Sequence, residues 1–205
     1  MYPVAYEADF VERRNRLSTF FRLILAIPWF VVGIFWGLAA LVCSVIAWFA
    51  IVFTGRYPEG LYDVVVQAMH YFARVNAFTY LLTDEFPPFD GGEHPEYPVR
   101  LRVAPPLPRY SRWKTALRFI LLIPIAIVLY LLELLNRAIG ILSWLVIVIT
   151  GRHPRGLFDV MKFALVYEAR ATAYHLLVTE TYPPFSVDEG EPAVAAPPPA
   201  PPFAG

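Results

Sequence analysis

Two apolar runs, each framed by the same pair of short motifs, constrain this chain more than any other feature. Phe21-Arg22-Leu23-Ile24-Leu25-Ala26-Ile27-Pro28 returns as Leu117-Arg118-Phe119-Ile120-Leu121-Leu122-Ile123-Pro124. Thr54-Gly55-Arg56-Tyr57-Pro58-Glu59-Gly60-Leu61-Tyr62-Asp63 returns as Thr150-Gly151-Arg152-His153-Pro154-Arg155-Gly156-Leu157-Phe158-Asp159. The displacement is 96 positions in both cases (118 − 22, 150 − 54), and it still holds from Pro87-Pro88-Phe89 to Pro183-Pro184-Phe185. A fixed displacement marks a tandem duplication, and runs this apolar mark a membrane-embedded unit. The 58% of hydrophobic residues exceeds the roughly 45 to 50% of a soluble domain. Basic and acidic side chains balance at 17 each, which excludes the global basic surface that gathers nucleic acid.

From Leu17 to Phe53 the first run would extend about 55 Å as one helix, at about 1.5 Å per residue, against a hydrocarbon core of about 30 Å. The sequence therefore predicts a transmembrane helical hairpin in each copy, two short crossings joined by a tight turn, four crossings in all. The turns are expected at Gly33 to Leu38 and at Glu133 to Arg137, where Glu133, Asn136 and Arg137 interrupt the apolar residues. Pro28 and Pro124 are expected to kink the first helix of each hairpin. The run is too long for a signal peptide's core, and Ala40-Leu41-Val42-Cys43 departs from a lipoprotein box at Val42 and lies too deep, so it reads as retained membrane helix. Cys43 is the sole cysteine and cannot form an intramolecular disulfide.

Each copy opens on a short extended segment with a strand's alternation, Tyr2 to Ala8 and Tyr97 to Val103, which can pair as a ribbon at the membrane surface. Each closes on a helical stretch, Leu61 to Leu82 and Leu157 to Leu177. In the first, Asp63, Gln67, His70 and Arg74 share one face, which predicts an amphipathic helix lying in the membrane interface. Both stretches stop before Pro-Pro-Phe. Arg13, Arg16, Arg22 and Arg56 match Arg109, Arg112, Arg118 and Arg152, so both ends of each run are basic. The positive-inside rule then places both ends, and both termini, in the cytoplasm and makes the repeats parallel about an axis along the membrane normal. The fold class expected is an all-α membrane protein of two parallel tandem repeats, 1–89 and 97–185, with a linker at 90–96. A disordered Pro/Ala-rich tail is expected at 186–205.

The motif string Thr-Gly-Arg-x-Pro-x-Gly-Leu-aromatic-Asp, then Leu-x-Thr (Leu81 and Thr83, Leu177 and Thr179) and Pro-Pro-Phe, with Arg-x-Ile-Leu-x-Ile-Pro upstream, resembles the bacterial membrane family known as domain of unknown function 4389. The resemblance covers Tyr2 to Phe89 and Tyr97 to Phe185. It implies an integral membrane protein and brings no catalytic residue with it.

Among residues shared by the copies, Asp63 and Asp159 are expected near the third position of their helices as caps, with Arg56 or Arg152 as ion partners. Arg74 and Arg170 lie too far along those helices to pair with them. Arg56, Arg74, Arg152 and Arg170 are the candidate contacts to anionic lipid headgroups or to a partner protein. Gly55 to Gly60 lacks the lysine and spacing of a phosphate loop. His70, His94, His153 and His175 have no metal-ligand spacing, and no serine or cysteine sits in a nucleophile context. No catalytic residue, cofactor or metal is predicted. The function expected is that of a non-enzymatic accessory or scaffold subunit of the inner membrane, presenting a cytoplasmic surface or its Pro-rich tail to a partner. The alternatives are a small transporter or channel at the repeat interface and a lipid-modifying enzyme in which Asp63, His70 and Arg74 converge with Asp159 and Arg170.

Overall fold

Each copy folds into one long apolar helix and a shorter, more polar helix that doubles back along it. The computed structural model describes residues 2–185, and the expected disorder of 186–205 lies outside them. The elements in order are β1 (Val4–Ala8), α1 (Arg16–Phe20), α2 (Arg22–Leu25), α3 (Ile27–Thr54), α4 (Glu59–Thr79), β2 (Val99–Val103), α5 (Arg112–Ala116), α6 (Arg118–Thr150) and α7 (Arg155–His175).

The two long helices correct the expectation of hairpins. α3 is continuous over 28 residues and α6 over 33, and each is long and apolar enough to cross a membrane. No turn forms at Gly33 to Leu38, because those glycines receive the rings of α4: a Cβ added at Gly33 would meet Phe72 at 3.4 Å. Nor does one form at Glu133 to Arg137. There the Glu133 carboxylate accepts bonds from Tyr80 Oη at 2.8 Å and Arg137 Nε at 2.9 Å, while Asn136 is buried. The polar residues are thus accommodated on the helix without breaking it. Pro28 falls in the first turn of α3, where proline has no intrahelical N–H to lose. Both helices end on a left-handed glycine, Gly55 at φ 74° and Gly151 at φ 73°.

The extended segments do pair. β1 and β2 are antiparallel, with Tyr6 opposite Leu101. The ribbon joins the copies crosswise, since β1 packs on α7 and β2 on α4. The short helices cross over as well, α1 onto α6 and α5 onto α3. Trp48 Nε1 near the end of α3 donates to Thr115 O at 3.0 Å, and Trp144 Nε1 near the end of α6 donates to Thr19 O at 3.1 Å. The C-terminal part of each long helix therefore meets the start of the other copy, so α3 and α6 run antiparallel about a pseudo-two-fold axis.

Three layers result. α3 and α6 form the outer layer, α4 and α7 the middle, and the ribbon lies on the far side of the middle layer. The core sits between: Val65, Met69, Ala73 and Leu82 of the first copy meet Met161, Leu165, Ala173 and Leu177 of the second, with Tyr6 and Leu101 of the ribbon. α4 and α7 are therefore core helices, not the interfacial ones expected. The face of α4 carrying His70 and Arg74 is covered by the linker, where Gly91 passes so close that an added Cβ would lie 2.5 Å from Gln67 Cβ.

Candidate functional site

The residues kept in both copies converge at the far end of each α4 or α7, and their first task there is structural. α4 finishes in a Schellman turn, in which Leu82 N donates to Ala77 O at 2.8 Å and Leu81 takes φ 64°. Leucine in this left-handed region costs roughly 1 to 2 kcal/mol, against which its side chain is buried. Leu177 repeats the conformation at φ 64°. Such a turn leaves carbonyls without partners, and a buried arginine reaches in to satisfy them. Arg22 Nη1 donates to Phe78 O at 2.8 Å and to Thr83 O at 2.5 Å, Arg22 Nη2 pairs with Asp84, and the guanidinium lies 4.5 Å from the Phe78 ring centroid. Arg118 does the same at Tyr174 O (2.9 Å) and Thr179 O (3.1 Å), 3.9 Å from the Tyr174 ring centroid. The shared Arg and Leu-x-Thr strings are two halves of one clamp. Sequence reading assigned Arg22 and Arg118 to the cytoplasmic charge pattern and missed it. The constant separation, 61 positions in each copy (83 − 22, 179 − 118), was the signal available.

Arg74 and Arg170 are not turned to headgroups as expected, for both are buried. Arg74 donates to Gly92 O and Asp90 O, each at 2.6 Å, and so fastens the linker over α4. Arg170 stands 5.3 Å from the ring centroid of Tyr2, whose hydroxyl donates to Arg170 O at 3.1 Å. Arg56 and Arg152 are exposed, and Arg152 pairs with Glu12 at 3.6 Å. The expected caps are corrected too. α4 and α7 start at Glu59 and Arg155, behind Pro58 and Pro154, without a side-chain cap bond. Asp63 and Asp159 consequently sit one turn too deep to cap; Asp159 faces Arg155 at 3.9 Å.

Polar side chains also line two cavities. The first, about 200 Å³, lies under the linker and is lined by His70, Arg74, His94, Arg100 and Arg102 among others. Burial above all holds the His70 imidazole below its ordinary range. Asp63, Asp159 and Arg170 are not among its lining residues, so the constellation an enzyme reading required does not assemble there. The second, about 340 Å³, lies between α6 and α7 and is lined by Glu133, Asn136, Glu168 and Thr172 with four apolar or aromatic neighbours. Glu168 accepts a bond from Asn76 Nδ2 at 2.9 Å. Burial, with the Glu133 carboxylate adding to it, pushes the Glu168 carboxyl up to about 7. Among the described residues no three His, Cys, Asp or Glu side chains gather to hold a metal ion.

No curated protein and no solved structure matches the chain. A family profile does, at residues 16–90 and again at 112–186. Those two segments carry the arginine clamp, the long apolar helix and the Schellman turn of each copy, and by them the chain belongs to the family described as Domain of unknown function (DUF4389), present in two tandem copies.

Proposed function

We propose that the protein is a non-enzymatic accessory or scaffold subunit of the bacterial inner membrane, anchored by its two long helices and offering its ribbon side to a cytoplasmic partner. The observation that carries this reading is the segregation of the surface. Nearly all the large exposed apolar side chains belong to the α1 to α3 and α5 to α6 segments, and only 22% of the most apolar stretch of α3 and 11% of that of α6 is buried. Helices of a soluble core would be covered. The opposite side carries Glu7, Asp9, Arg100 and Arg102 in ion pairs. Against catalysis, Arg22, Arg74 and Arg118 are engaged with backbone carbonyls. Arg56 and Arg152, near the ends of the long helices, are the contacts proposed for anionic headgroups or for the partner.

The test is affinity capture of the tagged full chain from native membranes in mild detergent, compared with a variant carrying Arg100→Glu and Arg102→Glu. A stoichiometric membrane or cytoplasmic partner that is lost from the variant supports the scaffold. Capture of the chain alone in both cases argues against it. The second reading, a transporter, is favoured by the cavity holding Glu133, Asn136 and Glu168. Cation- or proton-dependent uptake into proteoliposomes, abolished by Glu168→Gln, would put it first.

A further inference from the structure

We propose that the α1 to α3 and α5 to α6 segments lie flat in a single membrane leaflet, their outer faces among the acyl chains, and that neither long helix crosses the bilayer. This rests on the membrane anchoring proposed above and gives it a geometry.

The layer order is the first ground. The ribbon sits over the middle of α4 and α7, where Tyr6 and Leu101 share a small cavity with Ala73, Asn76, Leu165 and Glu168. Were α3 and α6 upright, their neighbours α4 and α7 would stand beside them, and the ribbon would be carried at mid-bilayer depth. The ion pairs of Arg100 with Glu7 and Asp9 would then sit in or beside hydrocarbon, where charges are costly. With the helices flat, the ribbon is two helix layers away from the lipid, roughly 20 Å at about 8 to 10 Å per layer.

The second ground is the outer face itself. Opposite the buried stripe of α3 stand Val31, Phe35, Leu38, Val42, Phe49 and Phe53, every one exposed and apolar, as is Ile24 of the preceding α2. Over its 28 residues α3 extends about 42 Å, longer than the hydrocarbon thickness of about 30 Å, and on this face no polar residue marks where a crossing would leave the lipid. On α6, Ile120, Ile127, Leu134, Ile141 and Leu145 continue the pattern. Glu133 and Arg137 lie on its flank, about 60° and 100° around the helix from buried Asn136 at about 100° per residue. Arg137 is 69% exposed. An upright α6 would hold it near mid-bilayer, whereas a flat one holds it at headgroup level.

The basic residues supply the third ground. Arg13 bridges to Arg152 and Arg16 Nη2 donates to Thr150 O at 3.0 Å, which gathers three arginines at one end of the layer. Tyr110 N donates to Gly55 O at 2.8 Å, and the Arg112 side chain also lies against Gly55, which gathers Arg56, Arg109 and Arg112 at the other. The pseudo-two-fold axis runs through the layers and sets both clusters at one depth, where anionic headgroups meet an in-plane helix. A second copy packed on the same face would bring these clusters against each other, so lipid is the occupant that the charge favours.

Single cysteines at exposed apolar positions, introduced in a Cys43→Ala background, leave the core untouched and serve as the test. Position 24 on α2, positions 31, 38, 42 and 49 on α3 and 127, 134 and 145 on α6 would carry a nitroxide in the full chain, reconstituted in phosphatidylethanolamine and phosphatidylglycerol vesicles. Collision with oxygen against a water-soluble nickel chelate reports the depth of each label. We expect one shallow depth throughout, about 5 to 10 Å below the headgroups. A profile that deepens toward the middle of each helix and returns overturns the flat arrangement while leaving the anchoring intact. Labels that are immobile and closed to both reagents overturn it in favour of a second copy. Labels open to nickel, on protein that alkaline carbonate strips from the vesicles, overturn the anchoring as well.

Discussion

Replacing His153 by Tyr should make the protein less sensitive to acid. His153 stands where the first copy has Tyr57 (153 − 57 = 96), in the junction that follows the long helix. The Tyr57 hydroxyl donates to Leu176 O at 3.3 Å. The histidine ring is 0% exposed and neither nitrogen makes a hydrogen bond. Burial, and next the guanidinium of Arg14, hold its imidazole down to about 4, against an ordinary value of about 6.5. Because the folded value is depressed, the unfolded chain binds the proton more tightly between these limits. The stability that neutral His153 supplies is therefore complete above pH 6.5 and drains away as pH falls toward 4. Between pH 7.5 and pH 5 the linkage comes to about 2 kcal/mol, or about 5 °C in Tm for a chain of this length. Burial also depresses His70 and His175, so the decisive quantity is the difference between variant and wild type. Thermal unfolding in detergent at pH 7.5 and pH 5.0 measures it. His153→Tyr should lose about 2 kcal/mol less on acidification than the parent. An identical loss in both proteins would refute the assignment.

Three further outcomes follow from the same structure. Glu168→Gln should act in the opposite pH direction: with its folded value raised to about 7, the carboxyl favours the fold fully below about 4.5 and lessens stability as pH rises through 7. The variant should gain about 3 kcal/mol on the parent between pH 4.5 and pH 8, and equal pH slopes in chemical unfolding would contradict this. Arg22→Met should cost about 3 to 5 kcal/mol, since Asp84 and two carbonyls lose a buried cation; a Tm within a degree of the parent would mean that the clamp carries no stability. Gly91→Ala forces a Cβ to within 2.7 Å of Gln67 O and should cost about 1 to 3 kcal/mol. Hydrogen exchange over residues 90–96 should quicken accordingly, and unchanged protection there would show that the linker has room.

The repeat, the helical content, the long apolar segments and the paired strands were legible because each is a local or periodic property. The path of the apolar runs was not. Length alone made a single helix over 17–53 longer than a bilayer is thick; the run is instead divided near its start, at Phe21 and Ala26, into α1, α2 and a continuous α3. Glu133, Asn136 and Arg137 looked like a turn because nothing in the local string shows that Tyr80, more than fifty positions away, supplies a donor. Arg74 was misread for a similar reason: its helix face is polar by period, and only the fold shows that residues 90 to 92 close over it. The fourth position of the duplicated string, Tyr57 and His153, shows what duplication does reveal, because the same buried niche is filled by different chemistry in the two copies.

The crossed packing bears on how such a chain came to exist. One repeat alone has an α3 end with no short helix to receive Trp48 Nε1, and a strand with no partner for its ladder; two identical repeats supply both needs to each other. A lone repeat is thus complete only as a symmetric homodimer, the product of exchanging identical elements across a two-fold axis. Duplication within one chain leaves the halves free to diverge, so that one half carries Glu133, Asn136 and Glu168 where the other has Gly37, Ala40 and Phe72. Residues 1–95 and 96–205, expressed together as separate chains, should reassemble, and neither should persist without the other.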